Sequence, residues 1–314
     1  MSTAQIITAR TVPLGGPRAM NVRRTLPQRE RSLIGAWCFA DHYGPDDVAG
    51  TGGMDVPPHP HTGLQTVSWL FTGEIEHRDS SGVQAIVRPG ELNLMTGGYG
   101  IAHSEVSTPA TTTLHGVQLW VALPDHARSV SRGFAHHVPK VTRLEGGSAR
   151  VFLGALGGDT SPVPTFTPLL GAEVVLDAQA EVTLEVESGF EHGVLVDVGS
   201  VRLGDVHLNR TALGYVGSGT DHLVLTNVTD RPARVIVLGG EPFENEIVMW
   251  WNFVGRSHDE IVAFREAWEQ QSEQFGNVEG YGGQPQRLPA PALPRVRIKP
   301  RLSPPGPGDR SAWG

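Results

Sequence analysis

The feature that most constrains this chain is a rhythm of short apolar alternations, each cut off by a turn. "LQTVSWLF" (64–71) runs into Thr72-Gly73, and "EIEHRD" (74–79) into Ser80-Ser81-Gly82. "VQAIVR" (83–88) ends at Pro89-Gly90, and "ELNLMT" (91–96) at Gly97-Gly98. Alternation of period two with a turn about every ten residues builds an antiparallel sandwich or barrel, because side chains on a strand point to opposite faces in turn. "GVQLWVALP" (116–124) adds a strand, and "AEVTLEVES" (180–188), "HGVLVDVGSVRLG" (192–204) and "HLVLTNVTDRPARVIVLGG" (222–240) repeat the rhythm. Two β-rich halves of similar length predict a duplicated all-β fold without a strict repeat. The 39 glycines and 24 prolines fit so many turns.

One segment reads differently. "SHDEIVAFREAWEQQSEQFG" opens with Ser257 and Glu260 at capping-box spacing, which predicts a helix over 258–275. Ile261, Phe264, Trp268 and Phe275 mark its apolar face, and Gly276 ends it. From Gln284 to Gly314 the chain is rich in proline. Six cations against one acid give that tail +5, so the body before it carries −13 of the total −8. The tail is expected to be extended, disordered or laid along the acidic body.

Several function classes are excluded. An acidic chain disfavours direct nucleic-acid binding. No window holds the ~20 apolar residues of a membrane span, and the first residues lack a signal peptide, so a cytoplasmic setting is expected. Cys38 is the only cysteine, which leaves no disulfide and no thiolate cluster. No G-x-S-x-G elbow is present, and the glycines of "GGYGIAH" precede no helix that would cradle a phosphate.

The chemistry concentrates in two pairs. "VPPHPHTG" (56–63) holds His59 and His61 two apart in a proline-stiffened segment that cannot be helical, so both project to one face if it is extended. "GIAHSEVS" repeats the spacing with His103 and Glu105. If the strands face each other, three imidazoles and one carboxylate converge, a set suited to a divalent transition metal with coordination positions left open. Gln65 shares the parity of His61 on an unbroken strand, and is a candidate to support a ligand or line the pocket. His42, beside a turn, is a candidate to line a cleft. His77 is ambiguous in direction, His136 and His137 face opposite ways, and His192, His207 and His222 form no H-x-H pair. The second half is therefore expected to hold no metal.

These residues carry a resemblance. "FADHYGP", "PPHPHTGLQTVSWLFTGEIEHRDSSG", "RPGELNLMTGGYGIAHSE", "HGVQLWVALP" and the later "GEPFENEIVMWWNFVGRSHDEI" resemble the pirin family of the cupin superfamily across nearly the whole chain. The resemblance implies two cupin β-barrel (jelly-roll) domains packed face to face, with residues 1–135 metal-binding and 136–283 metal-free, followed by the tail 284–314. It implies the ligands His59, His61, His103 and Glu105 and iron(II) as the favoured metal; a monomer is expected. Nickel, copper, manganese, cobalt and zinc suit the ligand types too. Many pirins read "HPHRGFET" where this chain has "HPHTGLQT", so Thr62 and Gln65 mark a pocket whose preference differs while metal binding is expected to survive. Some pirins are quercetin 2,3-dioxygenases, which open a flavonol with O2; here Glu105 would be the catalytic base. Others are iron-binding, redox-responsive regulators acting through a protein partner, for which the basic tail is the natural docking element. A cupin isomerase or an inactive relative is a third reading.

Overall fold

The computed structural model describes residues 4–14 and 20–301. Two cupin domains are each built from a seven-stranded and a four-stranded antiparallel sheet. In the first domain, Thr113–Ala122 lies between Trp37–Asp47 and Leu64–Thr72 in the large sheet. Its small sheet runs in the order Asp55–His61, Ile101–Ser107, Ile75–Asp79, Gln84–Val87. In the second domain, Ala233–Gly240 lies between Glu191–Val198 and Leu169–Leu176.

The large sheets pack on each other, which is why their strands are apolar on both faces. Along Glu191–Val198, Leu195 enters the interdomain core, while Val194 and Val196 turn into the second barrel. Ile236 and Leu238 divide from Val235 and Val237 in the same way. From the first domain Trp37, Trp69 and Leu119 meet this core. The buried Trp37 indole donates to the carbonyls of Leu170 and Gly239, both at 3.1 Å, and Trp69 Nε1 donates to Glu173 Oε2 at 3.0 Å. Gly35 sits at φ +51°, where a Cβ would fall 2.6 Å from Gly240 Cα, so the backbones meet directly there.

The barrel interiors differ in kind. The second is filled by Val174, Val194, Val196, Leu225 and Val235. The corresponding inward positions of the first include Ser68, Gln118 and Glu105, joined by hydrogen bonds. Polar groups are retained inside only where they find partners or do chemistry, which directs attention to the first barrel.

Gln5–Ile7 pairs with Leu213–Val216 of the second domain, and Gly133–His137 extends the first domain's large sheet through His137. The helix spans His258–Glu269, six residues short of the expected end at 275. Gln271 adopts φ 54°, Gln271 N donates to the carbonyl of Trp268 and Ser272 N to that of Ala267, which closes the last turn. Phe275 still folds back on Trp268, with ring centroids 5.5 Å apart. At the start, Glu260 N donates to Ser257 Oγ, but the Glu260 carboxylate accepts from Arg256 N rather than Ser257 N. No described helix is long and apolar enough to cross a membrane.

The tail through Arg301 lies along the body. Leu288 N donates to the carbonyl of Pro58 and Trp268 Nε1 to that of Leu288, both at 2.8 Å, and Arg297 forks onto Asp259. Residues 302–314 fall outside the described residues.

Candidate metal centre

Asp55–His61 pairs antiparallel with Ile101–Ser107, in a register that sets His103 opposite His59 and Ile101 opposite His61. The three imidazoles therefore come to one spot, with one ring nitrogen of each within 4.8 Å of the others. All are buried, at 6%, 1% and 1% exposure for His59, His61 and His103. Gly63 turns the chain immediately afterwards. It has φ +68°, and a Cβ there would lie 2.1 Å from the Val254 carbonyl. The Phe253–Gly255 strand can therefore press against Thr62, whose carbonyl accepts from Val254 N.

The hydrogen bonds at the Nδ1 atoms decide what the Nε2 atoms offer. His59 Nδ1 donates to the Pro57 carbonyl at 2.9 Å and His61 Nδ1 to the Asn252 carbonyl at 3.2 Å. A carbonyl only accepts, so both rings carry their proton on Nδ1 and present an Nε2 lone pair. His103 Nδ1 faces His77 Nδ1 at 3.4 Å, and His77 Nε2 donates to Asp79 Oδ2 at 3.1 Å. With His77 neutral, its Nδ1 would then accept, His103 Nδ1 would donate, and His103 Nε2 would present a third lone pair. The Nε2 atoms of His61 and His103 lie 3.0 Å apart. Two nitrogens each ~2.1 Å from one ion and a right angle apart would be separated by about 3.0 Å. Burial, followed by neighbouring imidazoles, pushes the pKa of His61 and His103 well below the usual histidine value. Burial holds His59 at about 4. Neutral rings with converging lone pairs are what a divalent transition metal requires of its ligands, so the residues fit the ion.

Glu105 projects from the same face of its strand as His103, beyond a register shift between the two. Its carboxylate is outside the three-imidazole group, and Ser68 Oγ donates to its Oε1 at 3.2 Å. Burial raises its pKa, with the nearby His77 and the Ser68 hydrogen bond working against the rise. Glu105 and the three histidines line one cavity of about 310 Å³, walled by Phe39, Trp120, Val56, Trp251 and Leu288. Phe39 and Trp120 stack with centroids 4.1 Å apart, and the Trp120 ring meets His61 edge-on. Trp251 takes φ 52°, an unusual conformation for a bulky residue.

The other candidates lie elsewhere. Gln65 is buried, but the Asp55–His61 strand ends before it. Its Nε2 donates to Thr96 Oγ1, and it lines a separate cavity with Phe134 and Val163. Thr62 is buried, with no partner for its hydroxyl among the described residues. His42 sits between the domains, where its Nε2 and that of His115 each donate to Asp197 Oδ1 at 2.6 Å. This second convergence is a hydrogen-bonded hub. Its 2.6 Å separations are hydrogen-bond lengths, Arg23 Nε donates to His42 Nδ1, and Arg234 Nε donates to Asp197 Oδ2. Burial alone would raise the pKa of Asp197, but hydrogen bonds from His115 and His42 and the charge of Arg234 hold it well below the usual carboxylate range. His77 and Asp79 were legible only through parity: Ile75, His77 and Asp79 are the buried members of one alternating strand.

Residues 19–121 match the family model described as Pirin, and residues 171–275 match the one described as Pirin C-terminal cupin domain. A Pseudomonas aeruginosa protein named "Putative quercetin 2,3-dioxygenase" is 43% identical over 292 residues, 92% of this chain and 90% of its own length. The chain belongs to the pirin family. A pirin-like protein of Caulobacter vibrioides is 34% identical over 84% of this chain and 92% of its own. The crystal structure of a quercetin 2,3-dioxygenase from Acinetobacter baumannii superposes on this pirin with a TM-score of 0.89 at 35% identity, covering 95% of this chain and 98% of that one.

Proposed function

We propose that this pirin is a metal-dependent dioxygenase of the quercetin 2,3-dioxygenase type, opening a flavonol or a related enol or catechol with O2. Its one divalent ion would be held by His59, His61, His103 and Glu105. The observation that carries this reading is the convergence of three buried imidazoles beside a buried carboxylate in an aromatic-walled cavity. The names of two relatives point the same way. Family likeness favours iron(II), and imidazole ligands accept nickel, copper, manganese, cobalt or zinc as well.

When bound, such an ion would acidify a coordinated hydroxyl, and a redox-active one such as iron(II) would also serve as a partner for O2. The chain's own groups do the rest. Glu105, buried with its proton affinity raised, is placed to take the proton of an enolic hydroxyl. Ser68 orients that carboxylate. Phe39 and Trp120 line the cavity with apolar surface against which an aromatic substrate would pack, and Leu288 and Trp251 would limit water.

Anaerobic purification with elemental analysis, then oxygen uptake with a panel of flavonols and catechols, tests the reading. Metal without oxygen consumption on any of them would favour a redox-responsive regulator with a protein partner. The tail through Arg301 is hydrogen-bonded to the body.

A further inference from the structure

We propose that His77 and Asp79 form a relay that holds His103 in the one tautomer able to bind a metal, so that this pair sets the affinity of the site. The inference rests on the metal-centre reading above and adds residues outside the ligand set.

The three ligand imidazoles are not held alike. His59 and His61 donate from Nδ1 to the carbonyls of Pro57 and Asn252. A carbonyl has no proton to give, so those two tautomers are fixed by the backbone. His103 alone rests on a side chain, His77, whose ring nitrogens can each be donor or acceptor. What makes His77 Nδ1 an acceptor is Asp79, whose Oδ2 takes the Nε2 proton. Asp79 is itself pinned: its Oδ1 accepts from Ser81 N at 2.8 Å, Ser81 Oγ at 2.6 Å and Val83 N at 3.2 Å. Phe134 covers the His77 ring at 4.8 Å. Register places Asp79 opposite His103 and His77 opposite Glu105, and His77, Asp79 and His103 are all buried. His103 is therefore the ligand whose lone pair depends on a single atom two residues away through hydrogen bonds.

Asp79→Asn exploits that dependence. The amide oxygen can keep the contacts to Ser81 and Val83, while the amide NH2 faces His77 Nε2. His77 must then accept there and carry its proton on Nδ1. That drives the His103 proton to Nε2, where the ion would sit. His77 and Asp79 are positioning residues, and outer-shell partners of this kind typically change metal affinity roughly 10- to 100-fold.

The test has two readouts. In metal-free wild-type protein, imidazole 15N shifts should show His103 Nε2 as pyridine-type and Nδ1 as protonated, and Asp79→Asn should reverse them. Titration with Ni(II) alone should give a dissociation constant roughly 10- to 100-fold weaker for Asp79→Asn and for His77→Leu. In a His77→Leu background, Asp79→Asn should add nothing further. Unchanged 15N shifts, an equal dissociation constant in Asp79→Asn, or full additivity of the two changes overturns the relay. If wild-type protein binds no Ni(II), the metal-centre reading fails instead, and the shifts of the wild-type protein still decide the tautomer.

Discussion

His61 and His103 come from different strands, yet their Nε2 atoms face each other at 3.0 Å. With both rings protonated at Nδ1, two lone pairs would repel at that distance, and a cation between them would remove the repulsion.

A divalent metal is therefore expected to stabilise the folded protein. At a free concentration 100 times the dissociation constant, the gain is about 2.7 kcal/mol. Thermal unfolding with and without Ni(II) measures it. His103→Ala should abolish the shift while the metal-free protein still unfolds cooperatively, because the large apolar cores do not include the site.

Glu105→Gln should keep bound metal, since three imidazoles remain, and lose oxygen uptake by roughly 10²- to 10⁴-fold, the usual worth of a general base. Elemental analysis and an oxygen electrode on the same sample separate the two effects. Full activity in this variant would remove Glu105 from the base role.

Leu288 ties the tail to the cavity. Truncation after Gly283 would strip a cavity wall and unpair the Pro58 carbonyl, next to His59. It should speed metal extraction by a chelator and weaken substrate binding. Truncation after Arg301 should change neither. Equal extraction rates in the two truncations would show that the wall is dispensable.

Asp197 joins the domains by accepting from His42, His115 and Arg234. Asp197→Ala leaves the buried Nε2 donors of His42 and His115 and the partly exposed Arg234 guanidinium without their acceptor, and should cost about 1–3 kcal/mol for each buried donor left unpaired in unfolding experiments. Metal content should stay at one equivalent. A fall from two equivalents to one would mean that the hub is a second metal site.

His192 is fully buried, and neither ring nitrogen has a partner among the described residues. Burial lowers its pKa from the ordinary 6.5 to about 4. As pH falls below 6.5 the unfolded chain takes this proton before the folded one, so the contribution to stability is whole above that pH and is lost towards pH 4. At ~1.4 kcal/mol per unit the loss is on the order of 3 kcal/mol. His192→Leu should flatten the decline between pH 6.5 and 4 in denaturant titrations, and be neutral or stabilising at pH 7. An unchanged slope would contradict it.

Local pattern carried much of this protein. Period-two alternation with regular turns made the two all-β halves readable, and the H-x-H and H-x-E spacings singled out the residues that share a strand face. Parity broke down where the backbone turned. Gln65 matches His61 in number, but Gly63 at φ +68° ends the strand between them. The expected helix end failed for a similar reason, since Phe275 keeps its place in the core after the chain has left the helix.

What sequence determined alone was which side chains a strand presents together, because that depends only on residue spacing. Tertiary structure decided which strands meet. It set His103 opposite His59, placed His77 and Asp79 behind it, sent His42 to the domain interface and folded Leu288 over the cavity. Those outcomes depend on sheet register and domain packing, contacts between residues far apart in the chain, and no local spacing encodes them.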